Sequence, residues 1–74
     1  MLIMECMRLK EVRENRQLTQ EKVASLLHVQ QNTYSQYENG VRQIPIYLLV
    51  ELAKFYNVSV DYLLRLTDFD EPYL

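Results

Sequence analysis

Between residues 30 and 40 the chain reads QQNTYSQYENG, a run of amides and hydroxyls with Glu38 as its one charge. A carboxamide holds a donor and an acceptor at fixed separation. That pair matches the N6 donor and N7 acceptor that adenine presents in the DNA major groove. The chemistry on offer is therefore recognition by hydrogen bonding. Asn, Ser and Thr are poor helix formers, whereas a face meant only for water would carry Lys and Glu. The stretch gives up helix propensity, and an inert polar surface is the plain alternative. Bond-making chemistry has less to work with. His28 and Cys6 are each the only residue of their kind, and neither has a second ligand or an acid–base partner at a recognisable spacing. They read as a turn histidine and a near-terminal cysteine. The expectation is no metal, no cofactor and no enzyme.

These side chains need a helix to align them. At 100° per residue, Tyr34 and Tyr37 share one face and can anchor it, while Gln31, Asn32, Ser35, Gln36 and Asn39 spread over an arc of about 140° on the other. Apolar residues recur at spacings of three and four through most of the chain, which predicts helices at about 7–16, 19–27, 30–39, 46–56 and 59–66 and no strand. Thr19 and Ser59 can cap the second and fifth helices. Glu21 suits the positive end of the second, although Lys22 stands where a capping box would place an acid. Asn39-Gly40 is a helix stop. Val23, Ala24, Leu27, Val29, Tyr34 and Tyr37 can close the second helix on the third, giving two short helices joined by a turn. That is a helix-turn-helix, whose second helix enters the major groove.

Seventy-four residues with one Gly and two Pro make one ordered, all-α domain. The expected division is a domain over residues 1–67 and an acidic tail over 68–74. No second domain is foreseen to sense a ligand. The opening MLIMECM is too short an apolar run, and too interrupted by Glu5, for a signal peptide. No stretch approaches a membrane span, and a lone cysteine fits a cytoplasmic protein. Eight basic residues face ten acidic ones, and Asp68, Asp70 and Glu71 lie in the tail. The body is near neutral, unlike the strongly basic signature of many nucleic-acid binders.

LTQEKVASLLHVQQNTYSQYENG followed by LAKFYNVSVDYLLRLTD resembles the Cro/CI-type, or XRE, family of helix-turn-helix regulators, over roughly Arg8 to Asp68. The resemblance implies a five-helix lambda-repressor-like domain that binds double-stranded DNA and regulates transcription. It places Gln31, Asn32, Gln36 and Thr33 at base-reading positions. Gln20, Ser35, Asn39 and Arg42 fall toward the phosphate backbone, with Gln20 beside free N–H groups that suit an anion. Arg13 and Glu38 match a structural ion pair between the first and third helices. The chain departs from the family pattern at His28, where a glycine is usual, and at Gln30, where a Ser cap is common.

On the fourth helix the expected inward stripe is Ile46, Leu49, Val50, Ala53 and Tyr56. Leu48 and Phe55 are then left over, as are Tyr62 and Leu66 once Val60, Leu63 and Leu64 face inward. Such surplus apolar residues predict a homodimer interface, and two recognition helices about 34 Å apart would reach successive major grooves. The expected activity is repression from a palindromic operator. One alternative is an antitoxin whose tail, with Phe69 and Tyr73, covers a toxin. The other is a helical module that binds only protein.

Overall fold

None of the helices predicted above exceeds about eleven residues, below the length at which an isolated helix holds in water. Each must be held by the face it buries and by the way its ends are closed. The computed structural model describes residues 7–72. The readings made for Cys6 and Tyr73 fall outside the described residues. Five helices follow in order: α1 (Leu9–Asn15), α2 (Gln20–Leu27), α3 (Gln31–Glu38), α4 (Ile46–Tyr56) and α5 (Val60–Leu63). There is no strand among the described residues. Leu9 and Val12 from α1, Val23, Ala24 and Leu27 from α2, and Tyr34 and Tyr37 from α3 meet α4 and Leu63 in a single core.

The helix starts follow their local chemistry. Thr19 Oγ1 accepts from the Lys22 N–H at 3.1 Å, and Ser59 Oγ accepts from the Tyr62 N–H at 3.0 Å. Gln30 precedes α3 without a side-chain cap.

The ends share one geometry. Gln17, His28, Gly40, Asn57 and Arg65 all have φ between 58° and 75°. The N–H of the residue after each reaches back to a carbonyl five positions earlier, at 2.9–3.1 Å: Leu18 to Arg13, Val29 to Ala24, Val41 to Gln36, Val58 to Ala53 and Leu66 to Asp61. This is the Schellman closure, in which a left-handed residue lets the last carbonyls find donors. In all five the left-handed residue is followed by an apolar one. Only Gly40 adopts that conformation free of a Cβ penalty.

Arg8 joins the two ends of the fold. Its backbone N–H donates to Leu63 O at 2.8 Å. Its guanidinium donates to Tyr62 O, Thr67 O and Asp68 Oδ1 at 2.9, 3.2 and 2.8 Å, and lies 4.3 Å from the centre of the Tyr62 ring. Asp68, assigned from sequence to the tail, is therefore bonded to the start of α1.

Three expectations change. Helix α4 is rotated by roughly 60° from the predicted stripe at 100° per residue: Leu48 is 5% exposed and Leu52 is buried, while Ile46 is 67% exposed. Leu48 is thus a core residue and not part of a dimer face. Tyr62 is half-buried, with Arg8 over its ring. Helix α5 stops at Leu63 instead of 66, because Arg65 turns left-handed at φ 62° and ends the run.

Candidate nucleic-acid interface

The turn between α2 and α3 is His28-Val29-Gln30. His28 takes φ 60°, ψ 40°, and Gln30 returns to extended backbone before α3 begins. Val29 is half-buried against the core. Tyr34 and Tyr37 are both buried and meet edge to face, ring centres 6.5 Å apart at 89°. This pair fixes the rotation of α3 about its own axis.

With the tyrosines inward, Gln31, Asn32 and Asn39 are exposed and Thr33, Ser35 and Gln36 half-buried. None of these six side chains is hydrogen-bonded among the described residues. Their donors and acceptors are carried on a helix whose rotation the two tyrosines hold. Arg42 follows α3 and is exposed; its N–H donates to Gln36 O at 3.2 Å, holding the loop against the helix end.

Behind the polar face lies a buried junction. Arg13 Nε donates to Glu38 Oε2 at 2.7 Å and its Nη2 to Oε1 at 3.2 Å, while Nη1 donates to Leu18 O at 2.7 Å. Gln20 Nε2 donates to Glu38 Oε1 at 3.0 Å. The carboxylate of α3 thus receives donors from α1 and α2, and its side chain is 1% exposed. Burial alone would push the Glu38 carboxyl up. The hydrogen bonds from Arg13 and Gln20 and the charge of Arg13 together outweigh burial and hold it below the ordinary range. Burial, followed by the same carboxylate, drives the Tyr34 phenol far above its ordinary value and pushes Tyr56 up to about 12. Both phenols stay neutral at any physiological pH.

The cations divide into two sets. Arg8, Arg13, Arg16 and Arg65 are spent internally: Arg16 Nη2 donates to Tyr56 O at 2.8 Å, and Arg65 Nη2 to Glu11 Oε1 at 2.8 Å. Lys10, Lys22, Arg42 and Lys54 are exposed and make no ion pair among the described residues. Lys22 was not singled out from sequence, although a signal was present. A base in the first turn opposes the helix dipole, and nothing within the fold repays that placement.

Of the residues assigned to the backbone of DNA, Ser35, Asn39 and Arg42 lie along or just after α3, and Gln20 opens α2 with its amide tied to Glu38. Phe55 and Leu66 are 47% and 66% exposed. No group of three or more metal-ligating side chains occurs among the described residues. Among the described residues no helix is long and apolar enough to cross a membrane.

A family model described as helix-turn-helix matches residues 9–63. The chain is 41% identical over 69 residues to an uncharacterized HTH-type transcriptional regulator, YobD, of Bacillus subtilis (strain 168), covering 93% of this chain and 62% of that one. It is 42% identical over 57 residues to the HTH-type transcriptional regulator ImmR of the same organism, covering 77% and 45%. It is 38% identical over 53 residues to the cryptic phage CTXphi transcriptional repressor RstR of Vibrio cholerae, covering 72% and 48%. The chain thus spans between about half and three fifths of the length of these relatives. No solved structure matches it significantly. With α2, its tight turn and α3 in place and the match running from α1 to the end of α5, the chain belongs to the XRE-type helix-turn-helix family.

Proposed function

We propose that the protein is a sequence-specific, double-stranded DNA-binding transcriptional regulator that acts as a repressor and binds a palindromic operator as a two-fold dimer. The observation that carries this reading is the outward amide face of α3. Gln31, Asn32 and Gln36 keep their hydrogen-bonding groups uncommitted while Tyr34 and Tyr37 hold the helix to the core. Bidentate amides of this kind read adenine, and Thr33 is placed to meet a thymine methyl. The printed names of ImmR and RstR, a regulator and a repressor, support the regulatory role. Ser35, Asn39, Gln20, Arg42 and Lys22 are the proposed phosphate contacts.

Phe55 and Leu66, with the uncovered edge of Tyr62, form the proposed dimer contact. The antitoxin alternative asks for a free tail. Asp68 is bonded to Arg8 and Phe69 is 77% exposed, so the tail is held at its first residue only.

Selection from random duplex DNA at moderate salt tests the proposal. The expected result is an enriched palindrome with A·T pairs at fixed half-site positions. Gln31→Ala, Asn32→Ala and Gln36→Ala together should abolish the enrichment while leaving thermal stability unchanged or slightly raised, since alanine is the better helix former. Enrichment that survives the triple variant would remove α3 as the reading element.

A further inference from the structure

The bond from Gln20 to Glu38 connects two roles that are separate so far. Glu38 belongs to the buried ion pair that braces α1 against α3. Gln20 opens α2, half-buried, at a helix end whose free N–H groups suit an anion. An ionised carboxylate can only accept. A primary amide facing it must therefore turn its nitrogen inward, and the nitrogen carries two hydrogens. One is taken by Glu38 Oε1 at 3.0 Å. The other has no partner among the described residues.

We infer that Glu38 is a positioning residue for DNA: by fixing the Gln20 amide, it sets which atom of Gln20 meets a backbone phosphate and at what angle. This inference rests on the DNA-binding reading above. A glutamine without such a partner samples both amide orientations and several rotamers, and half the orientations offer a phosphate an oxygen that repels it. Here the choice is made before DNA arrives, so the contact forms without the ordering cost that a free long side chain would carry. The chain of bonds runs from phosphate to Gln20, to Glu38, to Arg13. Because Glu38 is the last residue of α3, the same carboxylate ties the angle of the recognition helix to the point where α2 touches the backbone. Recognition of bases and registration on phosphate are thus coupled through one buried group.

Two measurements on the full chain test this, with a mixed-sequence duplex at low salt as the probe. The first is a double-mutant cycle read as duplex affinity, with folding checked by circular dichroism. Gln20→Ala should weaken binding by about tenfold or more, the worth of one hydrogen bond to a charged acceptor. The slope of affinity against salt should not change, because no counterion is released. In a Glu38→Gln background the same change should cost nothing further. Additive losses would overturn the inference.

The second measurement needs no variant that might fail to fold. In the native protein, nuclear magnetic resonance of the Gln20 side-chain amide should show two distinct protons, one held by Glu38. Adding duplex should move the outer proton and leave the inner one in place. If α3 backbone amides respond to duplex while the Gln20 amide does not, Glu38 positions nothing and the inference falls alone. If no signal on α3 moves, the DNA-binding reading itself falls, and the inference with it.

Discussion

Among single residues, Arg13 and Glu38 have the most to lose. Taking either away leaves the other as a buried charge without its partner, which costs about 3 kcal/mol in comparable pairs. In a domain of this size Arg13→Ala should lower Tm by about 15 °C, measured by thermal denaturation. The same pair sets a limit in acid. Glu38 is held below its ordinary value of 4.5, so its contribution is complete above that pH and is lost as pH falls through the lower folded value. Stability should drop on acidification below about pH 4.5, and Glu38→Gln should flatten that part of the profile. An unchanged profile would place the acid-sensitive group elsewhere. At this scale the sequence was readable where a residue type has few uses: Thr19 and Ser59 as caps, Asn39-Gly40 as a helix stop. The link from Gln20 to Glu38 was not readable, since eighteen residues separate them and only the packing of α2 on α3 brings them together.

At the scale of the helix, the ends carry the more general lesson. Four of the five left-handed closures use a residue with a Cβ, at a cost of roughly 1 kcal/mol each for residues other than Asn. Gln17 is exposed and its side chain is not hydrogen-bonded among the described residues, so Gln17→Gly isolates that cost. It should raise stability by up to about 1 kcal/mol, whereas Gln17→Val, β-branched at positive φ, should lower it; chemical denaturation reads both. Helix existence was legible from the three-and-four spacing, but the rotation of α4 was not. That helix is apolar at Ile46, Leu48, Leu49, Val50, Leu52, Ala53, Phe55 and Tyr56. A pattern so nearly continuous leaves more than one stripe that could face inward. The neighbours decide, and they chose Leu48 and Leu52 over Ile46. On α3 only two residues of the period are large and apolar, so there the face was unambiguous.

For the molecule as a whole, the question the proposal raises is how a chain carrying fewer bases than acids would hold DNA. Half of its eight bases are occupied within the fold. If Lys22 and Arg42 are the two that meet phosphate, a dimer offers four such contacts. Affinity should then fall with salt at a logarithmic slope of about −4, gentle beside strongly basic regulators. A slope of about −2 would indicate binding as a monomer. Sedimentation at tens of micromolar supplies the matching test: the native protein should run as a dimer, and Phe55→Glu as a monomer with its fold intact. Net charge was legible in the sequence, but the division of the arginines into occupied and free was not, because Arg8, Arg16 and Arg65 each find partners forty or more residues away.

The reach of Arg8 has a consequence for how the protein is made. Its partners Tyr62, Thr67 and Asp68 lie 54, 59 and 60 residues further on. The side chains that close α2 on α3 lie between residues 23 and 37, so their pairing waits on none of those partners. The arginine at the front must wait in water for almost the entire translation of the domain. The contacts of α1 and its cap are therefore completed in two stages: Arg13 can meet Glu38 once α3 exists, whereas the Arg8 guanidinium has no hydrogen-bond acceptor until α5 has been made. A chain stalled between residues 63 and 67 would hold all five helices and the Tyr62 carbonyl, with the other two acceptors of that guanidinium, on Thr67 and Asp68, yet to be synthesised.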